Sequence, residues 1–244
     1  MNHTMYDDGS YRENNPDWHA IDSLWKARRI ASILKRNSIE FDSCVEVGCG
    51  AGRVLAHLAD LIPGKDYSGY DVSPDAAALW DPSPQARLSY HLGDFRVTSR
   101  TYDLLLLIDV FEHIEDYMGF LRSLSGRARW YLFHIPLEMH LSALLRDRQL
   151  YSRQRVGHLH YFSRATALAT LADTGYKVVS DEYTNLSQET RESHRTLTRL
   201  ANIARKGLQS MSLDLAAKLL GGYSLLVLCC GGDESAARAA SRNS

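Results

Sequence analysis

The chain has 244 residues, 28 Lys and Arg against 29 Asp and Glu for a net charge of -1, and 45% hydrophobic content, enough for one sizeable buried core. Balanced charge leaves no overall field to attract nucleic acid or an anionic membrane, so a polyanionic partner would need a local patch. The longest apolar runs, Leu104 to Val110 and Leu225 to Cys230, fall far short of the roughly 20 residues that span a bilayer, and the polar start has no signal-like apolar region; a cytoplasmic protein without a membrane partner is expected.

Residues 1–16 read as a flexible segment. Residues 17–37 read as an amphipathic helix carrying Ile21, Leu24, Trp25, Ile30, Ile33 and Leu34. Strands and helices then alternate: strand Ser43 to Val47, helix Gly52 to Leu61, strand Tyr67 to Val72, helix Pro74 to Trp80, strands Leu88 to Leu92 and Tyr102 to Asp109, helix Tyr117 to Leu124, strand Ala128 to Ile135. Strands apolar on both faces belong in a parallel sheet covered by helices on each side.

Beyond Pro136 the pattern predicts a helix from Leu137 to Leu145, an Arg-rich loop from Arg146 to Arg155, a helix from Arg164 to Thr174 stopped by Gly175, and a strand from Tyr176 to Tyr183. A polar helical insertion at 188–220 precedes a last strand, Tyr223 to Cys230. A single domain over 17–231 with a disordered tail at 232–244 is expected. Cys44, Cys49, Cys229 and Cys230 show no C-x-x-C spacing and read as small buried hydrophobes.

The most informative stretch is Val45-Glu46-Val47-Gly48-Cys49-Gly50-Ala51-Gly52: a strand, a glycine turn and a helix start, with Asp71 at the end of the next strand. This is the layout of an adenosine-bearing cofactor site, with helix N–H groups aimed at a negative group and a carboxylate for the ribose hydroxyls. Arg53 occupies the place of a dinucleotide site's third glycine, which disfavours a nicotinamide oxidoreductase. Asp94-Phe95 follows the third strand, where an acid and a ring can hold the edge and face of an adenine.

This series resembles the class I S-adenosylmethionine-dependent methyltransferases. Glu46 stands two residues before G-x-G-x-G, and Asp71 and Asp94 follow the second and third strands. Asp109-Val110-Phe111-Glu112-His113-Ile114 resembles the D-V-x-E-H-I segment of the branch that includes the ubiquinone-biosynthesis O-methyltransferases. Leu24 to Arg29 and Gly157 to Ser163 are similar to its Trp-x-x-Arg-Arg and G-H-x-H-x-F-S stretches.

The resemblance implies a Rossmann-like α/β fold: a seven-stranded, mostly parallel sheet with helices on both faces, the last strand antiparallel beside the sixth. It implies S-adenosylmethionine as cofactor, held by Glu46, Gly48, Cys49, Gly50, Gly52, Asp71, Val72, Asp94, Phe95, Asp109 and Val110. His113 is the expected base. Glu112, His134, Arg155, His158 and His160 are expected around a small-molecule acceptor, methylated on oxygen ahead of nitrogen.

Plainer roles stand beside these. Glu112 and His113 suit a polar helix start, His134 a core histidine, and Arg146 to Arg155 a solvated loop rather than an anion clamp. Two residues, Glu112 and His113, do not make a metal site, and none is expected. A catalytically inactive S-adenosylmethionine-binding regulator or scaffold is the alternative function; nucleic acid is not an expected partner, and the oligomeric state is left open.

Overall fold

A computed structural model describes residues 22–82, 85–185, 207–208 and 212–231. The expectations for 1–16, for 232–244 and for most of the 188–220 insertion lie outside the described residues. In chain order the elements are α1 (Ser23–Arg36), β1 (Ser43–Val47), α2 (Arg53–Leu61), β2 (Asp66–Asp71), α3 (Pro74–Ala77), β3 (Leu88–Leu92), β4 (Tyr102–Ile108), α4 (Tyr117–Leu124), β5 (Ala128–Pro136), α5 (Leu141–Leu144), α6 (Arg148–Val156), α7 (Arg164–Asp173), β6 (Tyr176–Thr184), α8 (Leu213–Leu220) and β7 (Ser224–Gly231).

The seven strands form one sheet in the order β3-β2-β1-β4-β5-β7-β6. β1 to β5 pair in parallel, and β7 runs antiparallel between β5 and β6. Alternation along each strand divides the core in two. Val45, Leu105, Leu107, Phe133 and Val227 face α4 and α7, while Cys44, Leu104, Leu106, Leu132 and Leu228 face α1 and α2. Helices cover both faces, which is why β4 reads as an unbroken apolar run.

Two expectations need correction. The Arg-rich stretch is not a loop: after the single turn of α5, Asp147 takes a left-handed conformation (φ 50) and Arg148–Val156 forms α6. Its polarity hid the helix, since Arg and Gln are good helix formers whatever their hydropathy. The apolar stripe of α1 holds at Ile30, Ile33 and Leu34 but departs at its start. Ser23, Lys26, Ala27, Ile30, Ile33 and Leu34 are buried, whereas Leu24 is exposed.

Strand order places the site. Beyond β1 the chain runs outward through β2 and β3, then returns to lay β4 on the other side of β1. The chain leaves β1 toward β2 and leaves β4 toward β5, on opposite sides, and this switch point at the carboxyl ends of the strands is where open α/β sheets bind their ligands.

Candidate functional site

The glycine turn at the end of β1 is shaped by close approach. Gly48 has φ +74, and a Cβ there would lie 2.8 Å from Val110 Cγ2, so this position lets the exits of β1 and β4 meet. Gly52 has φ +72, and its Cβ would lie 2.4 Å from the Tyr90 ring. Two aromatic side chains strap the turn: Trp80 Nε1–H donates to Gly50 O (2.8 Å), Tyr90 O–H donates to Gly52 O (2.7 Å), and the rings stack at 5.3 Å. Gly52→Ala should cost about 2 kcal/mol of stability from left-handed strain plus the clash, read as a lowered urea midpoint; an unchanged midpoint would show that the turn relaxes freely.

Asp71 locks this turn to β2. Gly50 N–H donates to Asp71 Oδ2 (2.8 Å) and Ser73 N–H to Oδ1 (2.9 Å). A carboxylate can accept about four hydrogen bonds, so Asp71 keeps acceptor capacity for a ligand hydroxyl. Burial pushes the Asp71 carboxyl up, opposed by the N–H groups of Ser73, Gly50 and Val72. The neighbouring Val72 is 64% exposed and offers an apolar surface at the open end of β2.

Glu46 occupies the position expected of an anion at a helix start. Its carboxylate accepts the Leu55 N–H in the first turn of α2, yet Oε2 is buried with no hydrogen-bond partner among the described residues. Burial pushes its pKa up to about 8, against the attraction of Lys26. From pH 4.5 to pH 8 the folded chain therefore holds a proton that the unfolded chain has released, and stability falls as pH rises through that window. Glu46→Gln mimics the protonated form, so its Tm should gain on the parent across this range; parallel Tm curves would contradict the raised pKa.

Asp94 and Phe95 depart from expectation. The Asp94 carboxylate caps the Phe95–Val97 turn through Arg96 N–H and pairs with the Arg96 guanidinium, which holds its carboxyl below the ordinary range. Phe95 is 1% exposed, packed against Tyr70 and Tyr102 with Arg127 over its ring at 4.7 Å. An adenine-facing ring is thus not what this residue supplies here, because the short turn drives it into the core.

At the exit of β4, Asp109 is left-handed (φ 55), and each oxygen of its carboxylate has a basic partner: Oδ1 lies 2.7 Å from His134 Nδ1 and Oδ2 2.9 Å from Lys26 Nζ. Burial opposes ionisation, but His134 and Lys26 hold the Asp109 carboxyl well below the usual range. The second nitrogen of His134 lies 3.0 Å from Thr184 Oγ1, and Trp25 packs edge-on against the ring. His134 is therefore a satisfied core histidine rather than an acceptor contact. Asp109 positions the turn that brings Val110 to Gly48, and Lys26, absent from the expected site, secures it from α1.

Glu112 and His113 form the next turn. Glu112 is 0% exposed, and among the described residues neither carboxylate oxygen has a hydrogen-bond partner; burial, with Asp109 and Glu138 nearby, pushes its pKa well up. The N–H groups of Leu159 and His160 donate to Glu112 O, docking the 157–160 loop here. His158 and His160 then separate in role. His158 Nδ1 lies 2.7 Å from Glu138 Oε2 and its ring 4.7 Å from that of His113, whereas His160 Nε2 lies 2.9 Å from Ile114 O and packs on Tyr117. His160 thereby anchors the loop through Nε2.

Glu138, absent from the sequence reading, also accepts from Ser152 O–H (2.7 Å); burial alone would raise its carboxyl, but His158, Ser152 and His113 hold it below the ordinary range. Ligand atoms of Glu112, His113 and His158 all lie within 4.8 Å of one another, a donor set suited to a divalent cation. The pair expected to hold no metal thus gains a third member from 45 residues away. Arg155 is exposed on the last turn of α6, and Cys49 is buried, its thiol raised by burial and donating weakly to Gly50 O within the turn.

Known proteins share this fold. The family model of a methyltransferase domain matches residues 18–181. The complex between the Haloferax volcanii Trm112 methyltransferase activator and the putative methyltransferase aligns at a TM-score of 0.62, with 16% identity over 92% of this chain and 95% of that one. Magnesium protoporphyrin IX methyltransferase from Synechocystis, with bound S-adenosylhomocysteine, aligns at 0.58, with 14% identity over 86% and 84%. A plantazolicin methyltransferase in complex with a desmethyl substrate analogue and S-adenosylhomocysteine aligns at 0.56, with 15% identity over 93% of each chain. At such identities the likeness is one of fold. No curated protein matches the sequence.

Proposed function

We propose, from the premise that this chain belongs to the methyltransferase-domain family, that it transfers the methyl group of S-adenosylmethionine to a small-molecule acceptor, a hydroxyl oxygen ahead of an amine nitrogen. The residues fit this cofactor. Asp71 has acceptor positions for ribose hydroxyls, Val72 offers an apolar surface for adenine, and the orphaned oxygen of Glu46 suits a cationic ligand.

When bound, S-adenosylmethionine supplies a methyl group already activated on a sulfonium. The chain's work is then alignment, exclusion of water and removal of one proton. The observation that carries the reading is the His113, His158 and Glu138 cluster standing beyond the same switch point as the glycine turn. A hydroxyl is a poor nucleophile until its proton leaves. His113 is the residue assigned to take it, with Glu138 orienting His158 beside it. The Glu112, His113 and His158 grouping favours a second reading, in which a divalent cation held there orients the acceptor.

Labelled S-adenosylmethionine incubated with a metabolite extract should yield a small molecule carrying the label on oxygen, identified by mass spectrometry. Label on nitrogen would redirect the acceptor class, and cofactor binding without any labelled product would favour the inactive scaffold. Running the reaction after chelation separates the two readings: the base alone predicts no loss, the cation a loss restored by magnesium or manganese.

A further inference from the structure

The stretch between Glu138 and His158 presents an unusual surface. Met139, Leu141, Leu144, Leu145, Leu150 and Tyr151 are all exposed, with Leu144 at 59% and Leu145 at 76%. The backbone beneath them is anchored: Ala143 and Ser152 are buried, Gln149 Nε2–H donates to Glu138 O, and Tyr161 O–H donates to Gln149 O. Ser142 O–H also donates to Leu220 O, tying α5 to α8. The leucines are thus held outward by a fixed scaffold.

Arg146, Arg148, Arg153 and Arg155 lie in the same stretch, with Asp147 as the opposing charge. The chain as a whole carries -1, so this is a local basic patch of the kind a polyanionic partner requires. We propose that α5, the Arg146–Arg148 turn and α6 dock on an anionic lipid bilayer, the leucines entering the headgroup boundary and the arginines pairing with lipid phosphates. Exposed leucines and arginines stand together on this segment, and an anionic bilayer takes both at once, the apolar side chains at the headgroup boundary and the cations by electrostatic attraction. Because the segment starts at Glu138 and ends at His158, docking sets the acceptor side of the cleft beside the lipid. The docking itself does not depend on what the acceptor is.

The full chain should co-sediment with vesicles of phosphatidylcholine and phosphatidylglycerol, and much less with phosphatidylcholine alone or at high salt. The double variant Arg146→Glu, Arg148→Glu should lower partitioning by about 30-fold or more, from roughly a fivefold contribution per basic residue at an anionic surface. Leu144→Ser with Leu145→Ser should also lower it, and both variants should unfold at the parent's temperature, since the substituted side chains are exposed. Failure of the parent to bind anionic vesicles, or binding indifferent to both double variants, overturns the proposal. So does capture of a soluble acidic protein that the same substitutions abolish while vesicles stay unbound.

Discussion

Asp71→Ala should weaken S-adenosylmethionine binding by about 100-fold or more, because hydrogen bonds to a charged acceptor contribute roughly 1.5–3 kcal/mol each and two ribose hydroxyls lose theirs together. The same carboxylate receives Gly50 N–H and Ser73 N–H, so its removal also loosens the turn. Asp71→Asn separates these effects. It keeps one acceptor oxygen but loses the charge, and should fall between parent and alanine. Calorimetry well below the unfolding temperature makes the measurement; parent-like affinity in the alanine variant would remove Asp71 from the ribose site.

His113→Ala is the second large effect. Loss of a positioned general base should depress kcat by about 100-fold to 10,000-fold while cofactor affinity changes little. The acidic limb of the pH–rate profile, which reports the base, should disappear with it. Glu138→Gln should shift that limb instead of abolishing it, because Glu138 acts through His158. Unchanged single-turnover rates in His113→Ala would assign the proton to another group, or to the acceptor's own ionisation.

Local signals carried much of the fold. The strands β1, β3 and β4 and the helices α2 and α4 follow from apolar periodicity and glycine punctuation, because each is specified by residues next to one another in the chain. The glycine turn and Asp71 were legible for the same reason. The helix α6 was not, since its inward contacts are polar: Ser152 and Gln149 reach Glu138 rather than an apolar core.

The sites divide likewise. Phe95 sits in the right sequence position for an adenine ring, but the turn after Asp94 drives it inward. Lys26 lies four residues before Ile30 on the buried stripe of α1, a placement that signals a partnered charge, although nothing nearby in sequence names Asp109 as the partner. His134 and His160 looked equivalent to His158 until their partners were visible.

The sequence by itself determined that this chain builds a mostly parallel sheet whose first strand ends in a glycine turn with Asp71 closing the next strand, since backbone conformation and strand patterning are short-range properties. Only the tertiary structure decided which histidines and carboxylates meet. Asp109 with Lys26 and His134, and His113 with His158 and Glu138, are brought together by strand order and loop docking across long stretches of chain. Their ionisation and roles follow from burial and from which partner is within hydrogen-bond reach, and residue spacing encodes neither.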